Sequence, residues 1–256
     1  MAPNLLKLLA DNRSKPRKFE ASASDSEATL YIYDAIVSDE MTAEWFGGIA
    51  PEPFAKALNA ITAPTIHLRI NSPGGDVFGA RAIEQAIRQH PSNIVAHIDG
   101  VAASAATFIA IAADQVEIAP GALFMVHNSW TLAMGNADDL MNTAALLEKI
   151  DGTIGNSYAK KTGMAFDDVK ALMDAETWMT GEEAVAAGFA DSLAQDAPKA
   201  SASWNMSAYA KAPKAEANEE PAPDPAPEAP VAAPTAVPDN SHTDRLRRME
   251  LIERTA

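Results

Sequence analysis

Arg69-Ile-Asn-Ser-Pro-Gly-Gly-Asp76 decides the fold of this chain, because a β-rich run ends there in a Gly-Gly turn. Asp99-Gly-Val-Ala-Ala-Ser-Ala-Ala106 and Met125-Val-His-Asn128 complete the pattern. Proline presets φ in such a turn and glycine accepts positive φ, so the first stretch alone predicts no more than a turn. Glycine also leaves backbone amides without side-chain cover, which is what an oxyanion hole requires.

A serine and a histidine in the two later stretches are candidates for chemistry. Ser104 is predicted to open a buried Ala-rich helix over 103–113, where the first amides lack intrahelical partners. His127 closes an apolar strand over 123–126. A serine in such a helix is by itself ordinary small-residue packing. With the Gly-Gly turn, however, these are the parts of a serine hydrolase, in a chain order unlike chymotrypsin, subtilisin or the α/β-hydrolases. Plain structural explanations cover the other histidines, His67, His90, His97 and His242.

The order Gly-Gly, Ser, His and a late acid resembles the Clp-type serine peptidases over residues 28–195. It is closest to the Clp-related head-maturation (prohead) proteases of tailed bacteriophages. Gly100-Val-Ala-Ala-Ser104 matches the family motif Gly-x-Ala-Ala-Ser, and Met125-Val-His-Asn-Ser129 matches Met-Ile-His-Gln-Pro. Ala106 stands in place of a common glycine and Ser129 in place of the proline. We therefore expect narrower packing after Ser104 and a different turn after His127.

The resemblance implies a role for each matching residue. Ser104 would be the nucleophile and His127 the general base, which must approach the serine hydroxyl to about 2.6–3.2 Å in a productive pose. Gly75 and Ala105 would supply the two oxyanion-hole amides, with Gly74 shaping the turn. No metal ion and no cofactor are implied.

The acid of the triad is less firmly placed by the sequence. Matching outward from Trp178-Met-Thr-Gly-Glu-Glu-Ala-Val-Ala-Ala-Gly188 puts Glu176 at the family's aspartate position, with Asp174 as the second choice. A glutamate can orient a histidine, but its side chain is one methylene longer than that of aspartate, so its carboxylate must approach the imidazole from a different position. An ordinary surface carboxylate at either position, and hence a bare Ser-His dyad, stays open.

Strands and helices alternate through the folded region. Residues 28–37, 65–70 and 93–98 are β-rich runs of strand length, and helical spacing separates them. This alternation predicts right-handed crossovers and an α/β layered core. The resemblance implies the crotonase-like ββα superhelix of the Clp proteases.

Residues 137–174 break the alternation and predict two helices, over 138–158 and 166–173. The resemblance implies that this insertion is a handle that packs against a partner subunit. A helical hairpin folded onto its own core is the alternative. Homo-oligomerisation through the handle helices is favoured, since an excursion away from the sheet would leave an apolar stripe uncovered. The stripe consists of Leu140, Met141, Ala144, Leu147 and Ile150.

Composition limits the other classes of function. The 256 residues suffice for one domain plus tails, and the absence of cysteine excludes disulfides and thiolate sites. A net charge of −15 argues against general affinity for nucleic acid or anionic membranes, although both ends carry a small basic cluster. No apolar run approaches the roughly 20 residues that span a bilayer. We therefore expect a cytoplasmic protein with neither a membrane nor a nucleic acid as partner.

The chain divides by composition into four parts. Residues 1–27 are predicted to be a mobile arm and residues 28–195 the peptidase-like domain, with the handle at about 137–174. Residues 196–240 are rich in Ala, Pro and Glu and predict a disordered linker, because proline donates no backbone hydrogen bond. Residues 241–256 fit a short amphipathic helix carrying Leu246, Met249 and Ile252.

The sequence thus favours an ATP-independent serine endopeptidase that processes phage capsid or scaffold proteins, and itself, inside proheads in the host cytoplasm. Its partners would be protein substrates. A general Clp-type subunit working with an unfoldase is the alternative within the peptidases. From other classes, a crotonase-like acyl-CoA enzyme would not need Ser104 and His127 together, and a non-catalytic capsid assembly protein would need neither.

Overall fold

Strands and helices alternate along the chain as their apolar spacing predicts. The structure is a computed structural model and describes residues 5–15, 17–24, 26–195 and 204–213. The strands are β1 (Ala21–Ala23), β2 (Glu27–Ile32), β3 (Thr65–Ser72), β4 (Asn93–Ala103), β5 (Gln115–Ile118), β6 (Leu123–Val126), β7 (Thr177–Thr180) and β8 (Ser192–Leu193). The helices are α1 (Leu5–Asp11), α2 (Glu40–Phe46), α3 (Pro51–Asn59), α4 (Val77–Gln89), α5 (Ala106–Ala110), α6 (Ala137–Thr162), α7 (Phe166–Asp174) and α8 (Gly181–Ala186).

A mixed sheet with the order β1-β2-β3-β4-β5-β8 forms the centre of the fold. Strands β2 to β5 and β8 run parallel, and β1 adds an antiparallel edge. In addition to β3, strand β4 pairs with β5 along its first half and with β6 along its second. Strand β7 pairs antiparallel with β6. The second half of β4 therefore belongs to a small extension of the sheet, and this extension carries the candidate site.

Apolar side chains from the parallel strands and from α3, α4 and α5 build the main core. Ile66, Leu68 and Ile70 alternate along β3, and each is at most 1% exposed. Burial with a period of two is what a strand covered on one face requires. The α/β layered core is confirmed, with one local difference: Ala103 ends β4, and the predicted helix over 103–113 is regular only at α5.

The two helices predicted over 137–174 are α6 and α7, but only part of α6 stands away from the core. Its C-terminal half packs inward, since Ile154 and Tyr158 are each 1% exposed. Its N-terminal half is exposed, including Leu140 and Met141. The helix begins with a capping box between Asn136 and Asp139, which satisfies amides that lack intrahelical partners.

The N-terminal part of the chain differs from the predicted mobile arm over 1–27. Residues 5–11 form α1, in which Leu8 and Leu9 are buried, and β1 pairs with β2. The apolar run at residues 5–9 thus supplies the buried face of a helix through Leu8 and Leu9. Burying two leucine side chains stabilises such a short helix through tertiary packing.

Residues 204–213 also differ from the prediction, which ended the domain near 196. Trp204, Ala208 and Tyr209 are buried against Val101 of β4 and Met125 of β6. Averaging over 196–240 hides these aromatic residues, because Ala and Pro dominate the window. The predicted helix over 241–256 and the remainder of the predicted linker lie outside the described residues.

We predict that the two ends of this tail respond differently to truncation. A chain that ends at Lys214 keeps every residue that makes these contacts, so its free energy of unfolding should equal that of the full chain. A chain that ends at Gln195 loses buried Trp204 and Tyr209 and uncovers Leu8. Its free energy of unfolding should fall by roughly 3 kcal/mol or more, as for removal of a buried aromatic residue. Urea unfolding of the three chains provides the measurement, and equal midpoints for all three would show that the segment does not pack.

Candidate active site

Ser104 sits in a sharp turn between β4 and α5. Its φ is +53°, in the left-handed region that costs a residue other than glycine about 1–2 kcal/mol. Two backbone hydrogen bonds fix the turn: Ser104 N donates to Met125 O at 2.9 Å, and Thr107 N donates to Ser104 O at 2.9 Å. Strained backbone held in this way is typical of functional positions.

His127 and Ser104 are brought together by the pairing of β4 with β6. Ala103 lies beside Met125 in this parallel pair, so the residues that follow the two strands emerge at the same edge. The distance from His127 Nε2 to Ser104 Oγ is 2.7 Å. This is within the reach that proton transfer between a nucleophile and a base requires.

Burial keeps the imidazole of His127 uncharged. Loss of solvent lowers the pKa of His127 to about 4, and the negative charges of Glu176 and Asp151 oppose this shift. At neutral pH the ring is therefore neutral and can accept a proton from the Ser104 hydroxyl. A carboxylate whose charge raises the pKa of the ring also stabilises the imidazolium that forms on proton transfer.

The Gly-Gly turn presents an amide next to Ser104. Ile36 fixes the turn from behind, because Ile36 N donates to Gly74 O at 2.8 Å and Asp76 N donates to Ile36 O at 2.9 Å. The N–H of Gly75, between them, is thereby turned to the other side. A Cβ on Gly75 would lie 2.0 Å from Ile36 O, and its φ is +146°, so only glycine fits.

A second amide comes from the start of α5. Among the described residues, neither Gly75 N nor Ala105 N has a hydrogen-bond acceptor. The two predicted oxyanion-hole residues and the Ser104–His127 pair therefore lie at one place, with two uncommitted donors available for a developing negative charge.

Glu176, the first choice for the acid, lies near His127 but is bonded elsewhere. Its Oε1 accepts from Lys211 N at 2.6 Å and from Trp178 Nε1 at 3.3 Å, and its Oε2 accepts from Ala210 N at 3.1 Å. Within the described ranges, no carboxylate is hydrogen-bonded to Nδ1 of His127. Glu176 thus acts on the imidazole through its charge rather than through a hydrogen bond.

Asp174, the second choice, is turned toward the surface. Its carboxylate accepts from Asn128 Nδ2 at 2.7 Å and pairs with Lys170, and its side chain is 52% exposed. These two contacts, the Asn128 hydrogen bond first, lower the pKa of Asp174. The charge of Asp174 is not among those that shift the pKa of His127.

Asp151 is a carboxylate of the site that the sequence reasoning missed. It is 9% exposed on the packed half of α6 and accepts from Ser129 N at 2.6 Å, so it fixes the turn that follows His127. A carboxylate on the apolar face of a helix, between Ile150 and Ile154, is the signal that could have revealed it. The structure therefore places two charges around the imidazole, those of Glu176 and Asp151.

A cleft of about 590 Å³ opens beside these groups. Ser104, His127 and Gly75 line it, together with apolar side chains from α1, the start of α4, the 130–134 loop and α6. Such a cleft suits an extended chain with apolar side chains. In the described part of the chain, no group of three or more His, Asp or Glu side chains could hold a metal ion. None of the helices described is both long and apolar enough to cross a bilayer.

Fold and site together define an α/β protein with a serine–histidine pair at the end of a parallel strand pair. The Clp protease family profile matches residues 54–197, and the chain belongs to this family. The ATP-dependent Clp protease proteolytic subunit of Bacteroides fragilis is 31% identical over 130 residues, which are 50% of this chain and 63% of that protein. Subunit 1 of Leifsonia xyli is 31% identical over 134 residues, 52% of this chain and 68% of that protein.

The solved structures agree with this assignment of the fold. A ClpP1 mutant from Listeria monocytogenes matches with a TM-score of 0.56 and 21% identity, over 66% of this chain and 91% of that chain. The predicted Clp protease-like α/β fold is thereby confirmed. The chain spans about 63% of the length of its Bacteroides fragilis relative.

We predict that the two candidate acids differ in their effect on catalysis. Glu176→Gln removes a charge that stabilises the imidazolium and should lower kcat by at least about tenfold. Asp174→Asn makes the matched chemical change two residues away and should lower kcat by less than about twofold. Steady-state hydrolysis of a fluorogenic peptide measures both. The reverse order would assign the role to Asp174, and two silent variants would leave a Ser-His dyad.

Proposed function

We propose that the protein is a serine endopeptidase. The observation that carries the proposal is the 2.7 Å contact between His127 Nε2 and Ser104 Oγ beside two uncommitted amides. The family supports it, because the named relatives are proteolytic subunits. The cleft supports it as well, since a chain of several residues fits alongside the serine.

In the proposed reaction, Ser104 is first acylated and the resulting ester is then hydrolysed. Ser104 Oγ attacks the scissile carbonyl while His127 takes its proton, and the oxyanion accepts hydrogen bonds from Gly75 N and Ala105 N. The imidazolium then protonates the leaving amine, and an ester with Ser104 remains. In the second step, water gives a proton to His127 and attacks the ester. The ester C–O bond then breaks, the imidazolium returns its proton to Ser104 Oγ, and the carboxylic acid is released. Glu176 and Asp151 stabilise the imidazolium through their charge at both stages.

For the biological role, we propose processing of capsid or scaffold polypeptides, and of its own tail, during phage head maturation without ATP, inside proheads in the host cytoplasm. The resemblance of the motifs supports this role, as does the Ala/Pro/Glu-rich composition of 196–240. A general Clp-type subunit working with an unfoldase is the second candidate. The names of the relatives, which are ATP-dependent Clp protease subunits, favour this second role.

We also propose that the exposed half of α6 is a subunit interface. Leu140 is 45% exposed and Met141 61%, so the N-terminal end of the predicted stripe is uncovered in the single chain, as is nearby Leu146 at 52%. Leu147 and Ile150, at the other end of the stripe, line the cleft instead. Neighbouring apolar side chains, Leu132 at 75% and Met134 at 90%, extend the same kind of surface. Contiguous apolar surface of this kind is typical of a contact with another protein.

We predict that Ser104→Ala abolishes peptide hydrolysis and labelling by a fluorophosphonate probe. Loss of the nucleophile typically costs about 10³–10⁶ in kcat. Only a hydroxyl is removed, so the unfolding midpoint should change little. Ser22→Ala, in exposed β1, is the matched control and should keep full activity. Full activity of the Ser104 variant would end the serine-peptidase proposal, and would favour an acyl-CoA enzyme that uses the oxyanion amides alone.

We predict that Leu140→Glu combined with Ala144→Glu dissociates the oligomer. The change places unpaired charges within an apolar contact, where their desolvation is not compensated. Asn142→Glu, on the opposite side of the helix, is the matched control. Sedimentation velocity distinguishes the species. A wild-type monomer, or an unchanged oligomer in the double variant, would contradict the interface proposal.

A further inference from the structure

Residues 204–213, here called the C-terminal segment, lie against His127, against Pro73 before the Gly-Gly turn and against Glu176. None of the segment's residues lines the cleft. Two side chains of the segment, those of Trp204 and Tyr209, are buried to at least nine-tenths. A segment that contacts a site from behind, without filling the place of a substrate, is arranged to support it.

The ring of Tyr209 packs on the imidazole of His127. The ring centroids lie 5.4 Å apart and the planes meet at 86°, an edge-to-face contact. Trp178 also packs on Tyr209, with centroids 5.8 Å apart at 75°. Edge-to-face pairs of this kind are favourable beyond their buried area, so the imidazole is held by an aromatic neighbour.

The hydroxyl of Tyr209 fixes the turn that carries the oxyanion hole. It donates a hydrogen bond to Pro73 O, directly before Gly74. Trp204 Nε1 donates to Asn71 O at 3.0 Å, two residues earlier. Burial raises the pKa of the Tyr209 phenol, and the nearby Ser104 hydroxyl partly opposes that rise, so the phenol stays protonated as a donor.

The backbone after Tyr209 holds the first-choice acid. The amides of Ala210 and Lys211 donate to the two carboxylate oxygens of Glu176, as described above. Glu176 itself has a φ of +47°, a strained conformation that needs such contacts to persist. The segment therefore touches the histidine, the oxyanion turn and the carboxylate.

Contacts with α1 and with Asn12, the residue that follows it, anchor the segment. Asn12 and Asn205 exchange two hydrogen bonds, Asn12 Nδ2 to Asn205 O at 2.9 Å and Asn205 N to Asn12 Oδ1 at 2.7 Å. Lys7 Nζ also donates to Ser207 Oγ at 2.6 Å. Since α1 contributes Leu5 and Leu6 to the cleft, the two ends of the described fold are joined beside the site.

We infer that Tyr209 is a positioning residue for the proposed peptidase: its ring excludes water from the back of His127, and its hydroxyl holds the Gly74-Gly75 turn against Ser104. The inference rests on the proposed function. It adds a residue that lies outside the 54–197 family match.

The two parts of Tyr209 can be tested separately. Tyr209→Phe keeps the ring and removes the hydroxyl, which donates to Pro73 O and lies near the Ser104 hydroxyl. We expect kcat to fall about three- to tenfold, the range that one lost hydrogen bond gives, with KM within about twofold. Tyr33→Phe is the matched control, because it removes a hydroxyl bonded at 2.6 Å to Asp99, outside the site. It should leave kcat within about twofold at a similar loss of stability.

Tyr209→Ala also removes the ring, and its effect is read from the ionisation of His127. Water reaching the imidazole should raise the pKa of His127 from about 4 toward its ordinary value of about 6.5. The charges that face the ring, those of Glu176 and Asp151, still favour the protonated imidazole, although solvent weakens their effect. The acidic limb of the pH profile of kcat/KM should therefore move to higher pH in Tyr209→Ala and stay in place in Tyr209→Phe.

The experiment combines both measurements with an NMR titration of His127 in the Ser104→Ala background. Unchanged kcat in Tyr209→Phe, or an equal loss in Tyr33→Phe, would overturn the inference. A rise in activity in either Tyr209 variant would also overturn it, since the segment would then be an inhibitor. An unmoved His127 titration in Tyr209→Ala would do the same. Failure of the proposed function is distinct: the wild-type protein would then hydrolyse no peptide, while the titration would still decide whether Tyr209 shields the imidazole.

Discussion

The parallel pairing of β4 with β6 is the constraint on which the candidate site depends. Ala103 and Met125 lie side by side, and the chain leaves both strands at the same edge. The bond from Ser104 N to Met125 O extends this pairing by one residue and holds Ser104 in its left-handed conformation. A register shift of one residue would turn the side chains of β6 to the opposite face, and His127 would lose contact with Ser104. Packing of the sheet extension thus fixes the chemistry.

Burial at this edge has two opposing effects on the imidazole. It lowers the pKa of His127 and so keeps the base neutral, but it also makes the charged form that catalysis needs more costly. Glu176 and Asp151 offset part of that cost, one from the segment before β7 and the other from α6. Neither is bonded to Nδ1, so their contribution is Coulombic and depends on the low local dielectric. Water behind the ring would weaken this Coulombic contribution. The aromatic contact of Tyr209 with His127 keeps such water away.

The site residues that the sequence predicts are those that belong to short contiguous motifs. Ser104, His127, Gly75 and Ala105 each stand at a strand end or turn, where local residue types reveal the backbone conformation. Tyr209 has no such signal, because its partner Pro73 is 136 residues away in sequence. Asn12 and Asn205 are 193 residues apart, and composition alone assigned both to mobile tails. Of the two carboxylates near His127, the sequence predicts Glu176 but not Asp151. A carboxylate that acts through its charge alone needs no fixed distance in sequence from the histidine, so no motif reveals it.

The position of the C-terminal segment also constrains the proposed self-processing. Cleavage within 196–203 would separate Trp204 and Tyr209 covalently from the domain, leaving them attached only by the hydrogen bonds and packing described above. Intramolecular contacts that hold a tethered segment weaken once it must bind as a free peptide, because the effective concentration given by the tether is lost. A chain that cut itself there would loosen its own oxyanion turn and expose its own histidine. A cut beyond Lys214 would keep the support intact. If self-processing occurs, its position along the tail therefore decides whether it completes the enzyme or switches it off.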